Sequence, residues 1–241
     1  MEEELSLLWG KFSLREEEQV GVSLATSEIV PLVTRGKDCL VGKLLTKRVM
    51  PKEFFRASLL RAWRQSGEVS FNVIGENMFI AKFEHMWDKA RIMEGRPWLF
   101  DGNLVSLEEF DGLTPPSAMN FDMASFWVRM YNLPLACMRK EVGQKIGESV
   151  GIVEEVDILD EEAGWGTFLR VKIFFDLTKP LARGCMLYFQ NQSLWVAFKY
   201  EKLPKSCYHC GVIKHDRQGC VSPGTSRTPV KEEDQPYGNW L

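Results

Sequence analysis

Histidine is scarce in this 241-residue chain, with three residues in all: His85, His209 and His215. Two of the three fall in a cysteine-rich stretch near the C-terminal end. That leaves no Ser/His/Asp or Cys/His set to read as a nucleophilic site. The chain also lacks a G-x-x-x-x-G-K-[ST] loop and a G-x-G-x-x-G turn after a strand, two backbone cradles for nucleotide phosphates. No apolar run approaches the roughly 18 residues of a membrane span, so a helical membrane protein is not expected. A surplus of positive charge is missing too: Lys+Arg number 30 and Asp+Glu 33, a formal charge of −3. This excludes a histone-like polycation and confines any nucleic-acid contact to a local basic patch. The first residues, MEEELSLLWGKF, are acidic, so neither a secretory signal nor an Arg-rich transit peptide is expected.

What is present has the balance of a folded chain, 45% apolar and 26% charged, with enough length for one large or two small domains. The acidic pairs Glu154-Glu155 and Glu161-Glu162 are candidate Mg²⁺ ligands by type. Neighbouring carboxylates on a strand point to opposite faces, so they read as solvated edges. A non-catalytic protein is expected.

Residues 1–38 read as an acidic arm with short helices near 2–9 and 14–20, each too short to be stable alone. Residues 39–111 have the order β-α-β-β-α-β. A strand at 39–45 is followed by a helix from Pro51 to about Gln65, with Phe55, Leu59 and Trp63 on one face. Strands 69–74 and 78–83 flank the turn Gly75-Glu76-Asn77, a helix spans 87–93, and strands 98–100 and 104–107 flank Asp101-Gly102. This α+β order is that of a ferredoxin-like unit, two helices on one face of an antiparallel sheet. Residues 112–122, containing Gly112-Leu113-Thr114-Pro115-Pro116-Ser117, form a linker. A second, looser βαββ(α)β unit follows over 123–203: strand 126–131, helix 139–150, strands 152–159 and 167–175, an irregular helix at 180–186, and strand 193–200. A C-terminal knuckle occupies 204–221 and a flexible tail 222–241.

Six cysteines remain to be explained. Cys39, Cys137 and Cys185 are scattered singly and read as ordinary semi-buried thiols. Cys207, Cys210 and Cys220 combine with His215 in C-x2-C-x4-H-x4-C spacing, enough to close a tetrahedral Zn²⁺ site with one structural ion and no open position for water. Gly211 allows the tight turn after the second cysteine. His209, the rival imidazole, would strain that turn to reach the ion, and His85 reads as a surface or semi-buried residue. From Lys199 to Cys220 five cations (Lys199, Lys202, Lys205, Lys214, Arg217) face two acids (Glu201, Asp216), a local excess of +3. Tyr208 on the metal-ordered turn would stack a base while the cations pair with phosphates. Strand alternation also places Arg129, Arg170 and Lys172 on one sheet face, an electrostatic platform partly offset by Glu155 and Asp157.

Cys207-Tyr208-His209-Cys210-Gly211, with His215 and Cys220, resembles the CCHC zinc knuckle of retroviral and retrotransposon nucleocapsid-type proteins. Lys214 stands where such knuckles usually carry glycine, and Asp216 where many carry an apolar residue. Segments 41–46 (VGKLLT), 60–63 (LRAW), 94–102 (EGRPWLFDG) and 237–241 (YGNWL) resemble a large plant family often related to LINE-type retroelements. Its members carry a domain of unknown function followed by a CCHC knuckle. Residues 128–134 and 164–168 more faintly resemble strands of an RNA-recognition motif, with Arg129 at an aromatic position of that motif. The resemblance implies zinc and nucleic-acid binding; with Tyr208 and its cations the expected partner is single-stranded RNA or DNA, and an intracellular, nuclear location is inferred from that ligand. The rival class is a protein–protein adaptor in which the α+β body and knuckle grip a polypeptide.

Overall fold

The structure is a computed structural model, and it describes residues 21–158, 166–214, 220 and 236–241. The two short helices expected near residues 2–9 and 14–20 lie outside these residues, as do the pair Glu161-Glu162 and the sites His215 and Arg217. The chain is α+β, with two five-stranded antiparallel sheets.

The first sheet contains β1 (Cys39–Leu44), β2 (Val69–Gly75), β3 (Met78–Phe83), β4 (Trp98–Phe100) and β5 (Asn103–Glu109), in spatial order β2-β3-β1-β5-β4. Helix α1 (Thr26–Lys37) precedes β1, α2 (Lys52–Trp63) follows it, and α3 (Met86–Glu94) follows β3. The expected stripe Phe55, Leu59 and Trp63 is buried on α2. It meets Leu40 and Leu44 of β1, Phe79 and Phe83 of β3 and Ile92 of α3 in one apolar core. Helix α1 was not expected, because the charged composition of residues 1–38 made that stretch read as part of an acidic arm. Its last turn is held instead by buried Lys89, whose Nζ donates to the Lys37 carbonyl at 2.7 Å and pairs with Glu109 at 3.3 Å. A cation at that end meets unpaired helix carbonyls.

The second sheet contains β6 (Met123–Tyr131), β7 (Ile152–Asp157), β8 (Phe168–Asp176), β9 (Gly184–Phe189) and β10 (Gln192–Tyr200), in order β7-β8-β6-β10-β9. Helix α4 (Lys140–Glu148) covers one face, with Ile146 packed on Phe126, Val128, Val171 and Ile173 in a second core. The irregular helix expected at 180–186 is absent: the chain there runs extended into β9, which pairs with β10 from Gly184 to Phe189. Its backbone groups are spent on other partners. The Leu181 N–H donates to the Gly211 carbonyl, and the Phe198 N–H donates to the Arg183 carbonyl. No helix among the described residues is long and apolar enough to cross a membrane.

Candidate functional site

After β10 the chain turns at Lys202, in a left-handed conformation, and is tied to the first unit. The Lys205 N–H donates to the Gly102 carbonyl at 2.7 Å, and Lys205 Nζ donates to the Asp101 carbonyl at 2.5 Å. Gly102 has φ +72, a left-handed conformation that favours glycine, and the Lys205 side chain lies across it.

The next turn brings the sulfurs together. Ligand atoms of Cys207, Cys210 and Cys220 all lie within 4.8 Å of one another. The Gly211 N–H donates to the Cys207 carbonyl at 2.7 Å, and Gly211 itself has φ +75 with the Tyr237 ring against its α-carbon. Burial pushes the Cys207 thiol up. The Cys210 and His209 N–H groups and the Cys210 and Cys220 thiols, bonding its sulfur, outweigh burial and leave the group below its ordinary value. Burial lifts Cys210 to about 11. The Val212 N–H opposes that shift, and hydrogen bonding with Cys207 and Cys220 and the Cys207 charge add to it. Three thiolates this close repel one another, and a bound cation is what allows all three to ionise. The donor set fits Zn²⁺, whose tetrahedral thiolates stand about 3.8 Å apart at ordinary Zn–S lengths. Cys207, Cys210 and Cys220 would hold the ion, which would supply a covalent-like cross-link between the two arms of the turn.

The knuckle is not a separate bead. Ile213 and Leu241 are buried in the core of the second unit, with Tyr237 packed against it. The Leu181 N–H donates to the Gly211 carbonyl at 3.0 Å and the Lys214 N–H to the Leu177 carbonyl at 3.2 Å. Residues 236–241, expected to belong to a flexible tail, pack back on the knuckle. The Tyr237 N–H donates to the Tyr208 carbonyl, the Tyr200 N–H to the Leu241 carbonyl, and the Tyr208 hydroxyl to Asn239. A groove of about 850 Å³ runs beside Cys207 and Tyr208, between Arg48, Asp101 and Asn239.

The candidate nucleic-acid residues are distributed differently from the expectation. Tyr208 flanks the metal cluster. Lys205 is drawn to Asp101 and Lys214 to Asp122, while Lys202 lies over the Trp98 ring at 5.5 Å. Arg129 and Arg170 face each other across β6 and β8 as alternation required. Both are bound by Glu201: Arg129 Nε at 2.6 Å, Arg170 Nε and Nη2 at 2.9 Å each. Asp157 takes Arg170 Nη1 at 2.9 Å. Lys172, placed on that platform by alternation, is instead buried, donating to the Glu94 carbonyl of the first unit at 3.0 Å. Glu201 follows β10 directly, far in sequence from either arginine, which is why alternation within one strand missed it. Glu154 accepts from Ser125 Oγ at 2.9 Å. His85 is half-buried and stacked on Trp87. Cys39 is buried, Cys137 and Cys185 are half-buried, and burial raises the Cys39 and Cys185 thiols.

A cysteine cluster on a short turn, docked on an α+β body, has the form of a zinc-knuckle protein. Comparison with known proteins agrees. Residues 175–222 match a zinc-knuckle family of the CCHC type, and residues 34–114 match the domain of unknown function DUF4283. This pairing is common in plant retrotransposon-like proteins. The chain is also similar to "Uncharacterized protein At4g02000" of Arabidopsis thaliana, 24% identical over 158 residues, covering 61% of this chain and 49% of the relative. The chain thus spans about half the length of that relative. The zinc-knuckle match begins at 175, before β9, so it takes in the loop and hairpin on which the turn is docked.

Proposed function

We propose that the protein is a non-catalytic, zinc-dependent binder of single-stranded RNA or DNA, derived from a LINE-type retroelement and working in the nucleus. One structural ion is held by Cys207, Cys210, Cys220 and His215. The observation that carries this reading is the convergence of three thiols beside Tyr208, at the edge of a polar groove that a polynucleotide can follow. Zinc binding orders the turn and its ring; bases stack on Tyr208, and Lys202, Lys205 and Arg217 meet phosphates. The β5-β1-β3-β2 arrangement with α2 and α3 supports a ferredoxin-like first unit, with β4 added at the edge.

One observation favours the adaptor reading. Lys205, Lys214, Arg129 and Arg170 already have intramolecular acceptors, so phosphate must compete with them. Salt separates the two. Purified protein is expected to carry one zinc per chain. It is expected to bind oligouridine or oligothymidine with an affinity that falls steeply as salt rises and that is lost with chelator. Tyr208→Ala should weaken binding by roughly five- to tenfold. Absence of zinc, or oligonucleotide affinity indifferent to salt, chelator and this substitution, overturns the reading in favour of a polypeptide partner.

A further inference from the structure

The face of the second sheet opposite α4 carries a second set of rings and cations that the knuckle reading does not use. Strand register puts Trp127, Arg129 and Tyr131 of β6 on this face with Phe168 and Arg170 of β8 and Lys199 of β10. Near Trp127 it is closed by the first unit, through Lys172 and Glu94. Beyond that point it is open. Tyr131 and Phe168 pair across the strands with ring centres 5.3 Å apart. Arg129 lies 4.7 Å over Phe168 and Lys199 lies 5.4 Å over Tyr131. Trp195, two residues before Ala197 on the same strand face, is 46% exposed, and Tyr188 on the neighbouring strand is 75% exposed.

The charge on this half decides what it fits. Arg129, Arg170, Lys199 and Lys202 stand against Glu201 and Asp157, so four cations less two acids leave +2. The cores of protein interfaces are depleted of charge, whereas here the rings carry cations over their faces. Rings for bases beside cations for phosphates are what a single strand uses. A groove of about 410 Å³ lies where this face meets the C-terminal segment, lined by Arg129, Tyr131, Lys199, Lys202, Asn239 and Trp240. It shares Tyr200, Asn239 and Leu241 with the larger groove beside Cys207 and Tyr208. The two grooves therefore flank the C-terminal segment, with Asn239 and Leu241 between them.

We infer that a single-stranded nucleic acid held at the knuckle continues across Asn239 onto this sheet, where Tyr131 and Trp240 take bases and Lys199 and Lys202 take phosphates. The inference rests on the nucleic-acid reading of the knuckle and extends it from one turn to a track of several nucleotides. Glu201 does not repel the strand, because its carboxylate is already neutralised by Arg129 and Arg170.

The test is anisotropy of labelled oligouridine and oligothymidine, 4 and 12 nucleotides long, on the zinc-loaded full chain. Wild-type protein is expected to bind the 12-mers more tightly than the 4-mers. Lys199→Ala, at an exposed position, and Tyr131→Leu should each weaken 12-mer binding by about five- to tenfold and 4-mer binding by much less. Tyr208→Ala should weaken both lengths. Ultraviolet crosslinking of the 12-mer to wild-type protein should label peptides holding Tyr131 or Trp240, a readout independent of how the variants fold. Equal affinity for both lengths, with Lys199→Ala silent and crosslinks confined to the knuckle, overturns the track and leaves the knuckle reading standing. Failure of wild-type protein to bind either length removes both.

Discussion

The two sheets have the same strand order, yet they are closed differently. In each unit the second and third strands form one edge, the first strand is central, and the last two form a hairpin at the other edge. Between its third and fourth strands the first unit inserts α3, whose Ile92 is fully buried. The second unit inserts only a turn at 177–179 and the irregular stretch 180–183, and among the described residues α4 is its single α-helix. Leu177 and Leu181 from that stretch, Ile213 from the knuckle and Leu241 from the C-terminal segment complete the second core instead. The knuckle is therefore part of how the second sheet buries its apolar face. A metal bound at the knuckle would thus be coupled to the order of that sheet.

The comparison breaks most sharply with a core truncation in each half. Trp63 is fully buried against Phe79, Phe83 and Trp98. Trp63→Ala should cost about 3–5 kcal/mol, the usual range for deleting a large aromatic from a packed core. Ile213→Ala should cost about 2–4 kcal/mol by the same reasoning. Denaturant melts give the magnitudes, and amide exchange gives the location. The first variant is expected to loosen β1–β5 and the second to loosen β6, β10 and the knuckle together. If Ile213→Ala leaves protection of β10 unchanged, the knuckle is an appendage after all and the comparison is wrong.

A smaller effect tests the clamp itself. Gly211 has φ +75, and an added Cβ would sit 2.3 Å from the Tyr237 ring. Gly211→Ala combines a disfavoured backbone conformation with a clash that only movement of Tyr237 can relieve. The expected cost is about 1–3 kcal/mol. Amide exchange across residues 237–241 should speed up as the segment lifts away, and zinc affinity should fall with it. Unchanged protection there would mean that Tyr237 moves without loosening the segment.

Much of the first unit was legible because its signals are local. Pro51 opens α2, the i, i+4, i+8 series Phe55, Leu59, Trp63 marks the buried face, and Asn77 turns the β2–β3 hairpin with φ 56. The cysteine spacing was legible for the same reason, since a short loop leaves its sulfurs few places to go. What escaped depends on distant partners. The stretch 180–186 has apolar residues that suit a helix, but its N–H at Leu181 is claimed by Gly211, 30 residues on. Lys172 alternates correctly onto the platform face, and only docking of the first unit buries it. The rings Trp127 and Tyr131 were within reach, because they alternate with Arg129 along β6. Their period of two along the strand places them on the same face as the arginine.

The smallest effect concerns Glu201, which has no counterpart bridging the first sheet among the described residues. It joins β6 to β8 through Arg129 and Arg170, and hydrogen bonds from Arg170, then from Arg129, hold its carboxyl below the ordinary 4.5 against the opposing effect of burial. A carboxyl depressed in the folded state contributes stability that is fully present above its unfolded value and is lost as pH falls through the lower, folded one. The second unit should therefore weaken below about pH 4.5 more than Glu201→Gln does over the same interval. At neutral pH the substitution should cost about 1 kcal/mol, since a charged hydrogen-bond acceptor is lost at a partly solvated site. Thermal melts of both proteins between pH 7 and pH 3 check this. Parallel pH profiles would show that the arginines hold the two strands no better with a carboxylate than with an amide. The two sheets would then differ in how they are covered but not in how their strands are tied.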